Sequence, residues 1–183
     1  MTENPYTLHP LNEAAAQGDL ESVKMFLFQG VPVDNRDQYN ETPLHRAAWE
    51  GMVEVVEFLI QQGATVDATA GTGKTPLHRA ARQNHCRVME LLLAYGARVD
   101  MLTTEGETPL HWAAFSGASE AVGLLLANGA DPALKNRQNL TAAGVAYARG
   151  HAETFRVFEE TALSTDHFSP SSARSKNPPE TGE

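Results

Sequence analysis

The stretch Thr42-Pro43-Leu44-His45-Arg46-Ala47-Ala48 decides the fold, because it returns as Thr75-Pro76-Leu77-His78-Arg79-Ala80-Ala81 and again as Thr108-Pro109-Leu110-His111-Trp112-Ala113-Ala114. Each return comes 33 residues after the last. One further step of 33 lands on Thr141, where Thr-Ala-Ala-Gly-Val-Ala is a worn copy, and one step back lands on His9, where His-Pro-Leu-Asn-Glu-Ala-Ala is another. A fixed period of this size marks one supersecondary unit copied along the chain, each copy burying its apolar face against its neighbours. The array holds five units, at about 5–36, 37–69, 70–102, 103–135 and 136–163.

Each unit reads as a pair of helices. Thr42 is an N-cap and Pro43 stands at the first helical position, where its missing amide costs nothing. Ala47 and Ala48 let this short helix sit close to its neighbours, and Gly51 supplies the left-handed residue that ends it. A second helix is expected from about Val53 to Gln62, with Val53, Val56, Leu59 and Ile60 on one face and Glu54, Glu57 and Gln61 on the other. Gly30, Gly63, Gly96 and Gly129 occupy the stop position after it. Two residues before each Thr stands Asn40, Gly73, Gly106 or Asn139, residue types that accept positive φ in a turn. The end units depart from the pattern. His9 and Asn12 replace the Thr and His of the heptad at one end, while Thr154, Arg156, Glu159 and Glu160 make the last helix polar enough to face water.

Period and heptad together resemble the ankyrin repeat, over about residues 5 to 163. The resemblance implies an all-α solenoid of stacked helix-turn-helix units with projecting hairpin-like turns. It also implies that His45, His78 and His111 tie the turns of adjacent units together by hydrogen bonds, and that turn tips and first helices form a concave face that binds other proteins.

Hydrophobic residues make up 42% of the chain and charged residues 20%, as in a soluble folded protein. The 14 basic residues are outnumbered by 23 acidic ones, for a net charge of -9, which argues against nucleic acid as the main partner. No apolar run approaches a membrane span and no secretion signal is expected at the N-terminus, so the protein is expected to be a cytoplasmic or nuclear monomer that does not bind membranes. Cys86 is the only cysteine, and its register with Leu20 and Val53 predicts a buried, inert thiol. The array is expected to fill residues 1–163, and the Ser-, Pro- and charge-rich stretch 164–183 is expected to be disordered.

One string looks enzyme-like. Ala68 to Thr75 (Ala-Thr-Ala-Gly-Thr-Gly-Lys-Thr) fits a loosened phosphate-loop pattern, and a nucleotide-binding enzyme using Gly73, Lys74 and Thr75 is the alternative function. Pro76 follows at once, however, removing an amide where a phosphate loop needs one, and Thr75 already caps its unit's helix. Lys74 is therefore expected at an exposed turn tip. The histidines are one unit apart, and packed helices lie about 8–10 Å apart, too far for one zinc ion with bonds of about 2 Å. No catalytic residue, metal or cofactor is assigned.

Partner-binding residues are sought where the units differ. Directly after the heptad's His come Arg46, Arg79 and Trp112, and directly after Ala-Ala come Trp49, Arg82 and Phe115. Tyr39, Glu41, Lys74, Glu105 and Glu107 occupy the turn tips. Aromatic and Arg side chains are the types most enriched in interface hot spots. The expected partner is thus a protein segment of acidic or amphipathic character, bound by a non-catalytic adaptor, scaffold or inhibitor.

Overall fold

A computed structural model describes residues 10–166, so the expectations for His9 and for residues 167–183 lie outside the described residues. Five helical pairs follow one another: α1 (Pro10–Gln17) with α2 (Leu20–Phe28), α3 (Pro43–Glu50) with α4 (Val53–Gln61), α5 (Pro76–Arg82) with α6 (Cys86–Ala94), α7 (Pro109–Ser116) with α8 (Ser119–Ala127), and α9 (Ala142–Arg149) with α10 (Ala152–Asp166). The first helices stack α1 on α3, α5, α7 and α9 in turn, and the second helices stack α2 on α4, α6, α8 and α10. The first-helix row is the tighter of the two, because its facing surfaces are built from pairs such as Ala47-Ala48, Ala80-Ala81 and Ala113-Ala114, all fully buried. Leu44, Leu59, Leu77, Leu92, Leu110 and Leu125 fill the space between the rows. The architecture is the expected all-helical solenoid.

Two histidine systems bind unit to unit. His45 Nε2 lies 2.9 Å from the Lys74 carbonyl oxygen of the next unit, His78 Nε2 lies 3.1 Å from that of Glu107, and His111 Nε2 lies 3.0 Å from that of Leu140. A carbonyl can only accept, so Nε2 carries the proton. Nδ1 then accepts from the backbone N–H of Thr42, Thr75 or Thr108, closing the first turn of each helix. Asn12 does the same forward job in the first unit, donating from Nδ2 to the Glu41 carbonyl at 2.9 Å. The departure at the start of the array therefore preserves the link. The second system points backward: His85 Nε2 donates to the Trp49 carbonyl at 3.0 Å and His151 Nε2 to that of Phe115 at 3.1 Å. Gly51, at φ 77°, makes room for it, since a Cβ there would stand 2.7 Å from the His85 ring.

The turns are closed by hydrogen bonds without forming strands, and one isolated bridge, Lys135 with Thr141, is recorded among the described residues. Asp37 N–H donates to the Glu41 carbonyl at 3.0 Å and Asn40 N–H to that of Asp37 at 2.9 Å, with Asn40 at φ 60°. Neighbouring turns are joined as well, Thr104 N–H to Thr72 O at 3.0 Å and Arg137 N–H to Glu105 O at 2.9 Å. Further back, Asp34, Asp67 and Asp100 accept from the backbone N–H groups of Thr65, Arg98 and Asp131, one unit on.

Three expectations change. Cys86 is half-buried, and burial together with Glu120 and Glu90 pushes its thiol pKa upward, which keeps it protonated. Thr154 is buried in the last unit, its hydroxyl 2.9 Å from that of Ser119, so this residue is a unit-to-unit contact and does not face water. Glu159 and Glu160 are exposed as expected. Helix α10 runs to Asp166, past the boundary expected at 163.

Leu92 is fully enclosed on α6 with units on both sides, so Leu92→Ala is expected to cost about 2–5 kcal/mol. Phe158→Ala, on the terminal α10, should cost less; urea melts of the two variants compare them. The buried histidines also set a pH dependence. Burial lowers His45 and His78 from 6.5 to about 4 and lowers His111, whereas in the unfolded chain these rings protonate near their ordinary pKa. The contribution of His45 and His78 is complete above about pH 6.5 and lost as the pH falls toward about 4, and that of His111 is lost in the same direction. Urea melts from pH 7.5 to 5, above the carboxylate range, should show stability falling at up to about 1.4 kcal/mol per pH unit for each ring.

Candidate partner-binding surface

The heptad register places Arg46, Arg79 and Trp112 on one line, and Trp49, Arg82 and Phe115 on a second. Members of the two lines are three residues apart on α3, α5 and α7, and side chains at that spacing share a helix face. The side chains interleave across units. The Arg79 and Arg82 guanidiniums lie 5.1 and 5.7 Å from the centre of the Trp49 ring, and Arg82 is also 5.0 Å from Trp112 and 5.3 Å from Phe115. A further guanidinium, Arg149 on α9, lies 3.6 Å from the Phe115 ring centre. Arg149 was not singled out in sequence, because the fifth unit carries Ala148 in the slot of Trp49, Arg82 and Phe115 and sets its Arg one position later. The stripe thus alternates ring and cation, with Trp49 and Phe115 each supporting an Arg of the next unit and Trp112 supporting Arg82 of the unit before it.

The turn tips divide into exposed and packed positions. Tyr39 is 61% exposed and Glu105 is also exposed, facing Arg137 at 3.8 Å. Glu41 is different. It is only 3% exposed, pairs with Arg79, and lies 3.5 Å from Arg46 Nη1, so it anchors two arginines from beneath instead of reaching outward as a tip. Burial, and then the charge of Arg82, pull the Arg79 pKa below its ordinary value. Tyr39, Glu41, Arg46, Lys74 and Arg79, with Ala70, Gly71 and Thr72, line a cleft of about 470 Å³.

Trp112 is 8% exposed, and it packs where outward contact was expected. Its Nε1 donates to Glu107 Oε2 at 2.9 Å, its ring meets His78 edge-on at 6.2 Å, and Lys74 Nζ sits 4.8 Å above it. Lys74 is therefore half-buried over an aromatic ring, not free at a turn tip, and Glu107 is held by the same indole. Beside them Arg82, Glu107, Trp112 and Phe115 enclose a smaller hollow of about 120 Å³.

A family model described as ankyrin repeats, in three copies, matches residues 3–70 and 65–136, most of the chain. The chain belongs to the ankyrin-repeat family. No curated protein matches it. The family match stops before the fifth unit, whose α9 and α10 nevertheless complete the stack with the same Thr141 cap and Gly150 stop. Ankyrin repeats are generally protein–protein interaction modules and typically have no catalytic role.

Ala68 to Thr75 is one of the ankyrin turns. Ala70 N–H donates to Lys74 O and Gly73 N–H to Ala70 O, both at 2.8 Å, while Thr75 Oγ1 lies 2.9 Å from His78 Nδ1. The amides of Ala68, Ala70, Gly73 and Thr75 and the Thr75 hydroxyl, groups that a phosphate loop would turn toward phosphate and magnesium, are committed to the turn and the helix cap. Calorimetry with magnesium-ATP on the unaltered chain is expected to record no binding, and Lys74→Ala to lower stability by only about 0.5–1 kcal/mol through its lost contact with Trp112. Micromolar affinity abolished by Lys74→Ala would revive the nucleotide enzyme.

Proposed function

We propose that this ankyrin array is a non-catalytic interaction module, an adaptor, scaffold or inhibitor that grips one segment of a partner protein along its first-helix face. The observation that supports this reading best is the stripe Trp49–Arg82–Phe115–Arg149, which runs unbroken across four successive units. Large, stiff side chains prepositioned against one another lose little freedom on binding, which favours affinity. Tyr39 and Glu105 extend the same surface at the turn tips. Trp112, Glu107 and Glu41 act from behind it, holding Lys74, Arg82, Arg46 and Arg79 in place. The module works as a monomer in the cytoplasm or nucleus, by occupying its partner or bridging two proteins, without a cofactor or metal.

Replacing Trp49, Arg82 and Phe115 together by Ala is expected to release the partners captured by the unaltered chain, with each true hot-spot residue contributing on the order of 2 kcal/mol or more. Changing Glu54, Glu57 or Glu90, exposed on the second helices, should release nothing. Because the two rings also support neighbouring arginines, circular dichroism melts must accompany the triple variant, and Arg82→Gln, which spares both rings, separates contact from packing. Partners retained by folded triple and Arg82→Gln variants would remove this face from the interface.

A further inference from the structure

The first-helix face carries the charge that the chain as a whole lacks. Net charge is -9, yet Arg46, Lys74, Arg79, Arg82 and Arg149 gather along one surface. Arg46 and Arg79 share the single carboxylate of Glu41, and the Nε of each is buried without a hydrogen-bond partner. Lys74, Arg82 and Arg149 rest on aromatic rings, and among the described residues no carboxylate pairs with any of them. The cleft at the turn tips is lined by three cations and one anion, with Asp37 acting on Arg79 as a second negative charge behind them, in partly desolvated surroundings where excess charge is costly. A guanidinium held over a ring is already partly ordered and stripped of water, while its N–H fork stays free to receive a carboxylate.

We propose that the occupant of this face is an acidic segment of a partner protein, with one carboxylate in the cleft between Arg46, Lys74 and Arg79, a second along Arg82 and Arg149, and an apolar side chain in the hollow beside Trp112 and Phe115. This deepens the proposed function and rests on it. An extended segment of about ten residues covers the three to four units concerned, at about 10 Å per unit and about 3.3 Å per residue. Three cations beside one carboxylate attract carboxylates and phosphates alike, and the phosphopeptide arm of the test separates the two. A nucleic acid would bring many phosphates to a chain that is itself strongly negative.

The test uses the full chain and a displayed library of random peptides about ten residues long, selected at about 50 mM salt. Selected peptides are then synthesised with Asp and Glu intact or changed to Asn and Gln. Acidic residues should be enriched, their amide versions should bind at least about tenfold more weakly, and affinity should fall toward about 300 mM salt. Arg82→Gln, Arg149→Gln and Lys74→Gln should each weaken the acidic peptides similarly. Among the described residues these three groups make no hydrogen bond through their side chains, and should one variant lose its melting transition the other two still decide the matter. Selected peptides that lack acidic residues yet are lost on Arg82→Gln would overturn the acidic occupant while leaving the partner surface standing. Acidic peptides indifferent to all three variants would remove the surface itself. Displacement of the acidic peptides by lower concentrations of a phosphoserine peptide or a single-stranded RNA would assign the cations to phosphate and overturn the proposal.

Discussion

Each first helix but the last is hydrogen-bonded to the next unit through the buried side chain at its third position, and the order of the stack rests on this bond. One imidazole performs two tasks, closing its own helix cap with Nδ1 and holding the next turn's carbonyl with Nε2. The first requires the neutral ring, because a protonated Nδ1 could not accept from the threonine amide. Burial lowers the pKa in the same direction, so the geometry and the electrostatics select one protonation state and one tautomer. Asn12 shows what the bond needs chemically: a short side chain with an N–H at the right reach, aromatic or not.

With the units locked at one spacing, equivalent side chains fall into line, and a local substitution becomes part of a long surface. The alternating rings and guanidiniums depend on that register, since Arg82 reaches Trp49 in the unit before it and Phe115 in the unit after. The same contacts bring a tension. Side chains best suited to gripping a partner also cover the joints between units, so the array gains cohesion from its candidate interface and part of each ring is spent internally.

Buried charge on this face follows the same economy. Glu41 lies beneath Arg46 and Arg79 where water is largely excluded, and it fixes their direction more than it adds stability. Lys74, Arg82 and Arg149 are directed instead by rings, which orient a cation without neutralising it. An acidic chain can in this way keep a local excess of positive charge on one face.

Much was legible in the sequence because the repeat states each rule several times over. Thr-Pro at a helix start, Ala-Ala at close approaches and Gly at left-handed stops have local causes, so the helices, their order and their stacking follow from residue types and the period of 33. The slots that vary between units were equally legible as positions. What each occupant does there was not, because contact with the next unit depends on the direction of side chains brought together only by stacking. Glu41 and Trp112 occupy turn and helix slots that look outward in a single unit, yet Arg79 of the following unit packs on Glu41, and Lys74, His78 and Arg82 of the preceding unit pack on Trp112. Lys74 reads as a free tip until Trp112, 38 positions on, arrives beneath it. Arg149 sits one place out of register, and only the packing of α9 on α7 brings its guanidinium onto Phe115. The sequence by itself determined the fold and the surface on which units differ, since both arise from local propensity and period. The tertiary structure alone decided which of those residues stay open to a partner, since burial is a property of neighbours that only stacking supplies.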